Sequence, residues 1–241
     1  MNLETIQVLN QGKVSTIMLN RPDMLNAVNE QLVWDLQKAT ENVMNDDSVK
    51  VVILTGAGRG FSAGADLSER KASWSGSKDA LIRGYKPSFE NIINMQKPVI
   101  ASVPGPAAGI GAALAMSCDL RVMSEDSYLL SVFSNIALVP DGGLSWFLPK
   151  FMGYAKAYEH AIEAKKILAS DCLKYGIANK VVPSDQLEQI TLDWANQLAK
   201  RSSQSLNHTK RLMRESLAMS YWDTFSNEAE IQNELLSLIH I

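Results

Sequence analysis

The sequence predicts an α/β fold: a layered core with parallel strand pairing, followed by a mainly helical C-terminal region. Three observations lead there. Apolar runs of strand length alternate with segments whose apolar residues recur at helical spacing, two glycine-rich turns each link a strand to a helix, and beyond Pro183 the pattern is mainly helical. Parallel neighbours need crossover connections, which the intervening helices supply. We divide the chain into a core over 1–190 carrying the site and a helical region over 191–241 serving oligomerisation.

Taken in order, Thr5–Leu9 and Val14–Leu19 alternate apolar with polar residues across a short polar linker containing Gly12, a hairpin signal. Asn20-Arg21-Pro22-Asp23 ends the second strand. Leu32, Val33, Leu36, Ala39 and Val43 then place a helix over Glu30–Val43, which Asp46-Asp47 stops. Val49–Thr55 reads as a buried strand. A second cycle follows: a helix near Ala80–Met95, a strand Pro98–Val103, a glycine-rich turn, a helix Gly111–Cys118 and a strand Leu120–Met123. The polar, Ser-Gly-Ser-containing stretch Arg70–Lys86 reads as a mobile loop. Leu187–Leu198, Leu206–Met219 and Tyr221–Leu236 are the candidate C-terminal helices.

Composition narrows the function classes. With 241 residues, 46% apolar and 20% charged, the chain is large enough for one substantial core. A net charge of −3 with scattered Lys and Arg leaves no electrostatic footprint for nucleic acid. Cys118 and Cys172 each sit in an apolar stretch and read as buried thiols of a reducing compartment. The N-terminus has no basic and apolar signal regions, and no run approaches the roughly 20 apolar residues of a membrane span, so a cytoplasmic location is expected. His160, His208 and His240 form no metal-binding spacing.

Gly56-Ala-Gly58-Arg-Gly60-Phe61 after a strand invites a dinucleotide reading, but the G-x-G-x-x-G register needs glycine where Phe61 stands. A different use fits: Gly64 permits close backbone approach to a ligand, and Ala65-Asp66-Leu67 begins a helix whose free N–H groups face that ligand. The turn Pro104–Gly111 links the next strand to a helix with a small-residue face. Two such turns offer what an oxyanion hole requires, fixed donors aimed at one developing negative oxygen. The plain alternative is an ordinary tight turn into a helix for the first, and close packing alone for the second. Trp146, Phe147 and Phe151 recur near helical spacing and read first as core packing; Asp119 and Arg121 read as a structural pair.

In order, NRPDMLNA (20–27), FSAGADL (61–67), KPVIASVPGPAAGIGAALAMSCDLRV (97–122) and ALVPDGGLSWFLPKFMG (137–153) resemble the crotonase, or enoyl-CoA hydratase/isomerase, superfamily over nearly the whole chain. The resemblance implies a spiral of βαβ units with C-terminal helices, assembled as a homotrimer or hexamer. It implies no metal or redox cofactor, because the acyl-CoA thioester is itself the substrate. Carried over by residue, the oxyanion amides fall on Ala65 and Ile110, and Ala63, Asp66, Leu67, Ser68 and Gly109 lie along the acyl-CoA. Two glutamates serve the hydratases; their positions here hold Ala113 and Phe133, which leaves nothing to activate water at those places. Asp141, in Val139-Pro140-Asp141-Gly142-Gly143, matches the lone acid of isomerases, both the fatty-acid Δ3,Δ2-enoyl-CoA isomerases and the phenylacetate-pathway isomerase. By itself Pro-Asp-Gly is an ordinary β-turn sequence. Leu138, Val139, Trp146 and Phe147 are expected to surround Asp141 with apolar surface and raise its pKa.

The expected activity is therefore 3-enoyl-CoA to 2-enoyl-CoA isomerisation with Asp141 as catalytic residue. Isomerisation of a ring epoxide or oxepin acyl-CoA, hydration with rearranged acids, or a non-catalytic scaffold are the alternatives. Related chains commonly continue past an Asn-Glu-Ala-Glu-type helix (227–230), so an end at Ile241 suggests truncation or a closing surface from a partner subunit.

Overall fold

A computed structural model describes residues 3–69 and 73–239, with side chains through 237. Strands β1 (Ile6–Gln11) and β2 (Val14–Leu19) pair antiparallel across the Gly12 turn. Helix α1 (Glu30–Asn45) crosses to β3 (Val51–Gly56), which lies parallel to β2. Asn29 starts α1, its side chain accepting from the Leu32 N–H at 3.1 Å. Next comes one continuous helical run, in which α2 (Ser77–Asp79) passes into a π-helical stretch, Ala80–Tyr85, and then α3 (Lys86–Asn94). It leads to β4 (Val99–Val103), parallel to β3. β5 (Pro106–Ala108), α4 (Ile110–Ser117) and β6 (Leu120–Ser124) follow, β6 pairing parallel with β4. The large sheet closes on β9 (Lys180–Val182), so its order is β1-β2-β3-β4-β6-β9.

β5 pairs parallel with β7 (Tyr128–Leu130), and β7 pairs antiparallel with β8 (Lys166–Leu168), forming a second, smaller sheet. Single bridges Ser62↔Ala107 and Val28↔Ala65 extend it, laying residues 62–65 between β5 and the entry to α1. Between β7 and β8 lie α5 (Leu144–Met152) and α6 (Tyr154–Ile162); α7 (Ala169–Lys174) precedes β9 (Lys180–Val182).

The strands β3 and β4 are apolar almost throughout because helices cover both sheet faces. One face meets α1, α3 and α4 in the main core around Leu32, Leu54, Ile92 and Met116. On the other, α8 (Leu187–Leu198) buries Leu187 and Ala195, with Ala199 just past its end, against Val14, Val51, Ile53, Ile100 and Val122. Residue 190 thus lies inside a helix that packs on the sheet. Helices α9 (Ser203–Glu215) and α10 (Tyr221–Ile239) follow.

Several expectations need correction. Ala65-Asp66-Leu67 does not begin a helix: Ala65 sits in a single bridge and the chain then turns, Asp66 accepting from the Ser68 N–H at 3.1 Å. The stretch read as a mobile loop is helical from Ser77; Arg70, Lys71 and Ala72 of that stretch lie outside the described residues. Asp119 does not pair with Arg121. It bridges Lys210 and Arg214, at 2.9 and 2.7 Å, while buried Arg121 donates to backbone carbonyls including that of Cys118 at 2.8 Å. Cys118 and Cys172 are buried free thiols. His160 and His208 are half-buried, and His240 lies outside the described residues.

Candidate active site

The segment 20–27 is the strut on which the site is built. Leu25 and Asn26 adopt the left-handed backbone conformation, at φ 50° and 54°, which side chains rarely occupy without compensation. Compensation comes from the fully buried Asn26 side chain, which accepts from the Arg21 N–H and donates to the carbonyls of Ala57 and Gly60, all at 2.9 Å. Leu25 in turn accepts from the Ala63 N–H at 2.8 Å, and the Ser62 hydroxyl donates to the Asn26 carbonyl at 2.8 Å. Arg21 pairs with Asp66 at 2.9 Å, pinning the far end of the 62–66 segment.

This anchoring decides which amide is left over. The Val28 N–H donates to Gly64 O at 2.7 Å, and the Asp66 N–H donates to Val28 O at 3.0 Å. In such a parallel bridge the Ala65 N–H points the other way, and it has no partner among the described residues. Gly64 makes the geometry possible: its φ is +96°, and a Cβ there would stand 2.8 Å from Ala108 O. The same contact brings Gly64 against Gly109, whose Cα is 3.6 Å from that position.

Ile110 is the first residue of α4, so its N–H has no intrahelical acceptor; the first such bond runs from the Ala113 N–H to Gly109 O at 3.1 Å. The two glycine turns therefore touch, each with an unpaired amide beside the contact. Ala63, Ala65, Leu67 and Ser68 are exposed, whereas Gly109 and Ile110 are buried.

Asp141 arrives on a third turn. Gly142, at φ +58°, lies so close to α4 that a Cβ would stand 2.6 Å from both the Ala113 Cβ and the Ile110 Cδ1. The Asp141 turn is thus seated on the first turn of the helix that Ile110 opens. Ala113 and Phe133 are both buried. The Phe133 ring packs toward Gly109, 3.7 Å from where a Cβ would lie.

The Asp141 side chain reaches a cavity of about 610 Å³ walled by Leu81, Ile82, Tyr85, Phe89, Trp146 and Phe147, with Arg214 also on its lining. The Asp141 Oδ1 is shielded and has no hydrogen-bond partner among the described residues. Burial pushes the carboxyl up from its ordinary 3.8 to about 6. Trp146 and Phe147 meet the expectation of apolar neighbours; Leu138 and Val139 do not. They are exposed and line a separate groove with Tyr154 and Tyr158. Trp146, read as packing, is about half exposed at 48% because it faces this cavity.

Sequence reasoning missed the opposite wall. Leu81, Tyr85 and Phe89 recur four residues apart within the helix expected near Ala80–Met95, but nothing in that stripe marks it as facing a cavity and not the core. Arg214 gave no local signal, since only the packing of α9 brings it there.

The model of the family described as enoyl-CoA hydratase/isomerase matches residues 10–240. The chain belongs to the enoyl-CoA hydratase/isomerase family. It is 31% identical to the 1,2-epoxyphenylacetyl-CoA isomerase of Escherichia coli (strain K12), covering 92% of this chain and 84% of that relative. It is also 31% identical to the short-chain-enoyl-CoA hydratase of Clostridium acetobutylicum, covering 98% and 91%. The crystal structure of an enoyl-CoA hydratase from Bacillus anthracis superposes with a TM-score of 0.91 at 26% identity, covering 97% of this chain and 92% of that one. The expected crotonase-type fold, with its C-terminal helices, is therefore the one observed, and membership of the hydratase/isomerase family carries acyl-CoA chemistry with it. The relatives' names divide between hydratase and isomerase.

Proposed function

We propose that this enoyl-CoA hydratase/isomerase family member is an acyl-CoA double-bond isomerase, converting 3-enoyl-CoA to 2-enoyl-CoA with Asp141 as its proton carrier. The observation that carries the reading is Asp141 itself, a shielded carboxylate with an orphan oxygen at the wall of an apolar cavity. Its pKa of about 6 suits a group that must both take and return a proton.

In a 3-enoyl thioester, the Asp141 carboxylate removes a proton from C2 and the electron pair moves onto the thioester oxygen. The Ala65 and Ile110 N–H groups hold that enolate; each preorganised donor of this kind is worth about 10²–10³ in rate. The enolate then collapses, its double bond shifts to C2–C3, and the Asp141 carboxylic acid delivers the same proton to C4. Gly109 and the segment Ala63 to Ser68, with Asp66 and Leu67, frame the thioester. Hydration needs a second acid, and the two positions where the resemblance places glutamates are buried and apolar, at Ala113 and Phe133. The reading requires no resident cofactor, and it places the protein in the cytoplasm as a homotrimer or hexamer, with no nucleic-acid or membrane partner.

A ring-bearing substrate is the second reading, favoured by the aromatic walls Tyr85, Phe89, Trp146 and Phe147 and by the name of the E. coli relative. Product analysis separates these readings from hydration. Trans-3-hexenoyl-CoA or a ring-bearing thioester should give an isomer of unchanged mass, and trans-2-hexenoyl-CoA in ¹⁸O-water should give no labelled product. A labelled 3-hydroxyacyl-CoA, or release of free CoA, would overturn the isomerase assignment.

A further inference from the structure

Among the polar side chains on the cavity lining that the proton shuttle does not use, the phenol of Tyr85 is the one without a partner among the described residues. This residue ends the π-helical stretch Ala80–Tyr85, a winding that is rare and concentrated at functional sites because it displaces side chains from α-helical positions. The backbone there is held firmly. A Cβ on the neighbouring Gly84 would stand 2.9 Å from the Trp74 ring and 3.3 Å from Val33, so the helix is pressed against both. From the other side, the Ser88 hydroxyl donates to the Tyr85 carbonyl at 2.9 Å.

The Tyr85 ring lines the same cavity as Asp141, yet its hydroxyl has no hydrogen-bond partner among the described residues. Other polar groups nearby are engaged. Glu69 accepts from the Glu30 N–H at 2.9 Å, Lys86 pairs with Glu90 at 3.2 Å, and Arg214 is tied to Asp119 at 2.7 Å. Burial, together with the charges of Asp141 and Glu69, pushes the phenol up to about 12, so it is a donor at every pH of interest. An acyl group that fills the cavity expels the water solvating this hydroxyl. A donor then left without an acceptor weakens binding about tenfold.

The geometry points to Tyr85 as a specificity-determining residue: its phenol donates a hydrogen bond to an oxygen carried by the acyl group, so the preferred thioester bears a hydroxyl, ether or carbonyl oxygen rather than a plain hydrocarbon tail. The inference rests on the acyl site described under the proposed function, and it concerns binding, not proton transfer.

Calorimetric titration of the wild-type protein with unreactive thioesters tests it, comparing phenylacetyl-CoA with its 2-, 3- and 4-hydroxy derivatives. At least one hydroxylated thioester should bind about tenfold more tightly than phenylacetyl-CoA, and Tyr85→Phe should erase the difference. Equal affinity for all four in the wild-type protein overturns the proposal, whether or not the variant folds. So does selectivity that survives in Tyr85→Phe. A pH midpoint of activity displaced in the variant, with selectivity intact, would reassign the phenol to Asp141 and also overturn it. Because the readout is binding, a wild-type protein that shows this selectivity but isomerises no thioester would count against the isomerase assignment alone.

Discussion

Asp141 carries an unfavourable environment for its charge, and that has two measurable signs. As a base it must be ionised, so kcat/KM for a 3-enoyl-CoA should rise with pH through a midpoint of about 6 and level off above it. Stability runs the other way. Between 3.8 and about 6 the folded chain binds more protons at this site than the unfolded chain, so the site's contribution to stability falls as pH rises. Asp141→Asn should therefore stabilise the protein at pH 8, by about 1 kcal/mol after discounting for partial solvent exposure, and not at pH 3. Calorimetric melts would show this as a rise in Tm of about 2–4 °C at pH 8. Gly64 makes a different demand, because its φ of +96° and the Ala108 carbonyl 2.8 Å away leave no place for a methyl group. Gly64→Ala should cost about 1–3 kcal/mol in denaturant melts and lower kcat/KM through the displaced Ala65 amide.

Among the elements, α9 depends on one partly buried charge cluster. Asp119 accepts from Lys210 at 2.9 Å and Arg214 at 2.7 Å, while Lys210 also donates to the carbonyls of Ile92 and Lys97. Asp119→Asn removes the counter-charge of two partly buried cations, which keep only backbone carbonyls, and should destabilise by about 1–3 kcal/mol, with faster amide exchange across Ser203–Glu215. How far the elements could be read from sequence follows from where their signals lie. Val14–Leu19 and Leu187–Leu198 appear with the expected bounds because period and burial agree within each segment. The three-residue strands β5, β7 and β8 carry too little pattern to be read, and their pairing is set by distant partners. Ala65 was expected as an unpaired amide for the wrong reason: no helix starts there, and a single bridge to Val28, invisible in local sequence, turns the N–H outward. Asp119 was matched to its near neighbour Arg121, whereas its partners lie about ninety residues away on α9.

For the whole molecule, the touching glycine turns, the Asp141 turn and the aromatic-walled cavity meet at α4, which is buried along its full length. Apolar surface remains exposed elsewhere: Leu138, Val139, Tyr154 and Tyr158 along one groove, and Tyr221, Trp222 and Phe225 at the start of α10. Exposed patches of this kind mark association surfaces, and the proposed homotrimer or hexamer should appear in sedimentation analysis as a mass three or six times 26.5 kDa. The most direct measurement of the catalytic assignment compares wild-type protein with Asp141→Asn, following trans-3-hexenoyl-CoA conversion alongside acyl-CoA binding. The variant should lose about 10²–10⁴ in kcat while binding the thioester nearly as well as wild type. An Asp141→Asn enzyme that isomerises at the wild-type rate would remove Asp141 from the mechanism.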